Sequence, residues 1–164
     1  MLKFYKKAKD YFIWLIGVDD LKETKLINRK KAREEAFILL FENSFNSYSL
    51  DEILKLKSEI EVEEDKKNKT EKIEDFTKEL FEGVKEHQEE IDSLINEHSK
   101  AWSKDRISKI AMSILRLSIF EILFREDIPS GVSINEAVEL AKKYGSDEEP
   151  GFINGILGSI SRKN

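Results

Sequence analysis

The stretch from residue 107 to 124 constrains this chain more than any other. Ile110, Ile114, Leu115, Leu117, Ile119, Phe120, Ile122 and Leu123 cover most of the circumference of a helix. A helix that is apolar nearly all round belongs at the centre of a fold, with other elements laid against it. The rest of the sequence can supply them as helices. Only two prolines and seven glycines interrupt the 164 residues. So few turn residues, among so many Lys, Glu, Leu and Ile, predict an all-α fold. The length suits one domain, or one domain with a tail.

The other helices follow from apolar spacing and end signals. Asn28 reads as the N-cap of a helix to about residue 42, with Ala32, Ala36, Leu39 and Leu40 on its inner face. Ser49 and Glu52 have the spacing of a capping box. Residues 58–72 are almost wholly polar and read as a loop or a frayed helical extension. Ile73, Phe76, Leu80 and Val84 mark one further helix, and Ile91, Leu94 and Ile95 another. Trp102 and Ser103 lead into the apolar segment, and Pro129 and Gly131 close the connection after it. Ser133 and Glu136 form a second capping box, with Gly145 as the C-terminal cap of that helix. Pro150 starts the last helix, whose stripe is Phe152, Ile153, Ile156, Leu157 and Ile160.

Charge is unevenly spread. The net charge is −5, yet residues 1–33 hold ten Lys or Arg against four Asp or Glu. A basic end on an acidic body suggests a local polyanion contact, although basic runs also occur as plain solvated faces. Near the N-terminus, lysines precede an apolar run over residues 11–18. That run is too short to span a membrane and lacks a small-residue cleavage site. Phe4, Tyr5, Ala8, Tyr11, Phe12, Leu15 and Ile16 recur at helical spacing, so residues 1–27 read as an amphipathic helix. The expectation is a cytoplasmic protein without a membrane segment.

Catalytic signatures are lacking. With no cysteine, thiol nucleophiles, thiolate metal sites and disulfides are excluded. His87 and His98 fit no metal-ligand spacing. Nothing resembles a nucleophile elbow, a P-loop or a dinucleotide fingerprint. The glycines at 151, 155 and 158 fall in a helical pattern. These residues alone indicate a non-enzymatic helical binding domain.

Several spaced motifs then agree in order. They are Arg29-Lys-Lys-Ala-Arg-Glu34, Phe81-Glu-Gly-Val84, Ile91-Asp92, Trp102, Ile114-Leu-Arg-Leu-Ser-Ile-Phe-Glu121, Ile128-Pro129, Val132-Ser-Ile-Asn-Glu-Ala-Val-Glu-Leu-Ala-Lys-Lys-Tyr-Gly145 and Phe152-Ile-Asn-Gly-Ile-Leu157. From about Asn28 onward the chain closely resembles the NusB family of transcription antitermination factors. The resemblance implies two stacked helical subdomains over residues 28–164, with residues 1–27 as an extra N-terminal helix outside the match. It implies binding of boxA RNA from ribosomal RNA leader transcripts together with NusE, a small-subunit ribosomal protein. It also implies indirect contact with other Nus factors and RNA polymerase. No catalysis and no cofactor are implied, and a homodimer stays open because some relatives look dimeric.

Carried over by motif, Arg29, Lys30 and Arg33 are the expected RNA contacts, with both arginines largely exposed. Glu148 and Phe152 are added near the RNA. Phe152 fits either a base-stacking aromatic or the core stripe of the last helix. Phe41 and Ala111 are the expected partner-facing positions, although the family often has an acidic residue where Ala111 stands. Arg116 and Glu121 read as a structural polar pair, and Asn135 and Asn154 as ties between helix ends. Two other readings remain. One is the NusB-like part of a ribosomal RNA cytosine methyltransferase, although no methyl-donor site occurs before Asn164. The other is a protein-only scaffold.

Overall fold

The structure, a computed structural model, describes residues 25–45, 51–52, 67–100 and 107–163. The expectations for residues 1–24, Ser49, residues 58–66, Trp102 and Ser103 lie outside the described residues. Among the described residues there are six long helices and no strand: α1 (Lys25–Asn43), α2 (Lys67–Glu86), α3 (Gln88–Ser99), α4 (Lys109–Phe124), α5 (Ser130–Tyr144) and α6 (Glu149–Ser161).

The apolar segment becomes α4, and α4 packs against each of the other five helices. Its Ile114, Leu115, Leu117 and Ile119 are fully buried. Helices α1 and α2 pack on one another, as do α5 and α6, and α3 joins α4 and α6. One continuous core runs through all six helices, which bears out the all-α expectation. Leu115→Ala should therefore cost about 2–5 kcal/mol, the range for a packed leucine. Urea unfolding measures it, and a loss below about 1 kcal/mol would place α4 at the surface.

Helix ends depart from the expectations in instructive ways. Helix α1 begins at Lys25, so Asn28 lies within it and a domain boundary at residue 28 would cut a helix. Residues 67–72 are helical, the first turns of α2. Helix α5 starts at Ser130 with Pro129 as its N-cap residue, which places Ser133 inside the helix rather than at its cap. The Ser133 hydroxyl donates instead to Glu121 at 2.7 Å. Pro150 and Gly145 behave as expected, at the start of α6 and the C-cap of α5.

The N-cap of α4 is Ser108, whose Oγ accepts from the Ala111 N–H at 2.9 Å. The same hydroxyl donates to Glu149 Oε1, and Glu149 Oε2 accepts from the Ser146 N–H at 2.9 Å. One buried carboxylate thus ties the start of α4 to the entry of α6. A side chain at Gly145 would collide with Glu149, so glycine is required there by close approach. Gly83 is required for a similar reason, because the Phe120 ring lies against it.

Helices α1 and α4 run antiparallel. Arg33, midway along α1, reaches Glu121 near the end of α4. At the opposite end, Lys109 donates to the Ser44 carbonyl at 2.6 Å.

Candidate nucleic-acid interface

Four residues apart on α1, Arg29 and Arg33 share one helix face. The two arginines nonetheless end in different surroundings. The Arg29 side chain keeps 36% exposure and pairs with Asp127 at 2.9 Å. Arg33 is only 6% exposed, so the expectation that it is largely exposed is corrected. Its Nε donates to Glu121 at 2.6 Å, and Glu121 is 1% exposed. The second Glu121 oxygen accepts from Ser133. A buried charge needs this kind of full pairing.

The ring of Phe76 on α2 gathers three guanidinium groups. Arg29 and Arg125 each lie 5.2 Å from its centroid, and Arg33 lies 5.8 Å away. Arg125 follows the last residue of α4 and donates to Asp127 and to Glu79, at 2.9 Å and 2.7 Å. The hydrogen bonds from Arg125, and then from Arg29, hold the Asp127 carboxyl below the usual carboxylate range. Arg125 is pushed above its ordinary value, chiefly by Asp127. The contribution of this pair is full above the ordinary carboxylate range and fades as acid protonates Asp127.

Lys30 is exposed and close enough to Glu139 on α5 to help lower that carboxyl, which Lys142 lowers most. Lys143 and Tyr144, at the end of α5, both donate to Glu34 at 2.6 Å, clamping α5 to α1. The basic motif of α1 therefore sits on an edge formed with Arg125, the middle of α2 at Phe76 and Glu79, and the outer face of α5.

The remaining expected site residues separate. Glu148 is exposed at the start of α6, whereas Phe152 is 2% exposed in the core and presents no ring face to a base. Ala111 is also in the core, at 1% exposure, which corrects its placement on a partner surface. Phe41 is half-buried, stacks on Phe37 and meets the exposed Phe45 edge to face. The Lys109 ammonium lies 3.9 Å from the Phe45 centroid.

Arg116 and Glu121 do not pair. Five residues apart on a helix, they point in different directions, and Arg116 instead grips Asp92 through two bonds of 2.7 and 2.8 Å. Asn135 and Asn154 sit within α5 and α6 rather than at their ends, lining a shallow open groove between the two helices. His98 bonds Ser159, and His87 stacks on Phe124 at 3.9 Å. Among the described residues no group of side chains could hold a metal ion, and no helix is long and apolar enough to cross a membrane.

Sequence reasoning passed over Arg125, Asp127 and Glu79, and took Phe76 only for core. The available signal was the charged triplet at residues 125–127, abruptly ending the apolar helix.

Fold and surface together define a class: an all-helical domain whose basic helix motif meets paired arginines and carboxylates at one edge. The comparisons are specific within that class. The NusB family profile matches residues 30–162. A transcription antitermination protein NusB of Clostridium botulinum (strain Kyoto / Type A2) is 45% identical over 142 residues, covering 82% of this chain and 99% of that protein. The crystal structure of T. maritima NusB superposes with a TM-score of 0.67 at 34% identity, covering 88% of this chain and 94% of the other. A crystal structure of the antitermination factors NusB and NusE in complex with double-stranded RNA gives a TM-score of 0.67 at 29% identity, covering 84% and 98%. The chain belongs to the NusB family, and its relatives are named as antitermination factors rather than as enzymes.

Proposed function

We propose that this chain binds the boxA RNA of ribosomal RNA leader transcripts together with NusE. With other Nus factors it then supports read-through by RNA polymerase in the cytoplasm. The observation that carries this reading is the half-exposed Arg29 beside the exposed Lys30 on the first turns of α1, at the edge that Arg125 shares. Cations placed this way neutralise RNA phosphates, and single-stranded RNA is the form whose bases a protein can read. The solved complex of a relative with NusE and RNA supports the choice of partners. For NusE, the half-exposed aromatic step of Phe41 and Phe45 beside Lys109 is the surface we favour.

Arg33 has no part in the test, because removing it would unpair Glu121. Arg29→Ala with Lys30→Ala should leave the fold intact and weaken boxA binding. The loss of two single-strand phosphate contacts should also flatten the salt dependence by roughly 1.4 units of slope. Fluorescence titrations across a salt series measure both quantities. Unchanged affinity and slope in the folded double variant would refute the assignment.

A further inference from the structure

The geometry points to a phosphate-exchange site, formed by Arg29 and Arg125 on the Phe76 ring, that Asp127 keeps closed until an RNA phosphate displaces it. This rests on the RNA-binding reading above and deepens it, adding Arg125 as an RNA contact outside the basic motif.

Asp127 occupies the site as a phosphate would. Its Oδ2 accepts from Arg29 Nη2 at 2.9 Å and from Arg125 Nη2 at 3.3 Å, while its Oδ1 accepts from Arg125 Nε at 2.9 Å. A carboxylate and a phosphate offer the same forked pair of oxygens to a guanidinium, so one can replace the other without moving the arginines. The arginines are held independently of Asp127. Both stack over Phe76, and Arg125 also donates to Glu79 at 2.7 Å. Little side-chain entropy then remains to be lost when a phosphate arrives.

Exposure decides which partner leaves. The Asp127 and Glu79 side chains are 45% and 59% exposed, whereas that of Arg125 is only 20% exposed. The carboxylates can turn into water while the guanidinium stays. Exposed ion pairs are weak, so displacement costs little. The neighbouring Arg33–Glu121 pair has the same chemistry but is buried, so neither member can exchange. Asp127 therefore acts as a brake: it competes with weakly held phosphates and yields to RNA that also engages Lys30.

The test measures boxA RNA binding by the full chain, Asp127→Asn, Arg125→Ala and the double variant across a salt series. Asp127→Asn should bind about three- to tenfold tighter, the scale of two exposed ion pairs released. Arg125→Ala should bind more weakly, with a slope smaller by about 0.7. In the Arg125→Ala background, Asp127→Asn should keep only the part of its gain that comes from releasing Arg29. Glu79→Gln should give a smaller gain of the same sign, and serves if Asp127→Asn does not fold. Glu89→Gln, at an exposed carboxylate in the first turn of α3, sets the baseline for removing one negative charge. If Asp127→Asn gains no more than Glu89→Gln, or binds more weakly than the full chain, the exchange site is overturned while the boxA reading stands. If the full chain binds no boxA RNA, with or without NusE, both fall.

Discussion

Glu121→Ala should cost about 3–5 kcal/mol of stability, the scale for removing one partner of a buried ion pair. The carboxylate is 1% exposed and accepts from Arg33 at 2.6 Å and from Ser133 at 2.7 Å. Its removal leaves a guanidinium in the core with no carboxylate to meet it, and a serine hydroxyl without its acceptor. Replacing both charges should be gentler. Arg33→Met with Glu121→Leu should cost clearly less than Glu121→Ala alone, since the loss lies mostly in the abandoned charge rather than in the bond itself. Equilibrium urea unfolding of the three proteins decides. A double variant less stable than the single one would show that the pair contributes net stability beyond the penalty of stranding a charge.

Phe152→Ala should cost about 3–5 kcal/mol as well, for a different reason. The ring is 2% exposed on α6 and belongs to the central core, so truncation opens a cavity between α6 and its neighbours. RNA affinity should fall only as far as the folded fraction falls. At a temperature where the variant is folded, its affinity and salt slope should match those of the unaltered chain. An affinity loss at full folding would mean that the ring leaves the core to stack on a base.

Both predictions turn on what the sequence could and could not show. The centrality of α4 was legible, because an apolar circumference has no other use in a helical chain. Pro150 and Gly145 were legible because their backbone chemistry is local. Long-range polar pairing was not. Glu121 has Arg33 as its partner, 88 residues away, and no periodicity on either helix connects them. Nearness in sequence favoured Arg116, which the helical wheel turns toward Asp92 instead. Caps were ambiguous for a related reason. Ser133 satisfies a capping spacing, but Pro129 starts α5 earlier, and the serine is left to serve Glu121. Of the RNA candidates, the motif placed Arg29 and Lys30 on an open edge. It could not show that Arg33, one turn further along the same face, is buried against Glu121.

The antiparallel pairing of α1 and α4 sets a distance. Helix α4 has 16 residues and is therefore about 24 Å long. Arg125 stands just past one end, and Lys109, beneath Phe45, begins the other. The proposed phosphate site and the aromatic step are thus separated by the length of a rigid rod that the rest of the core surrounds. RNA at one end and a protein at the other would not crowd each other. On this geometry the helix pair would act as a spacer between the two proposed surfaces.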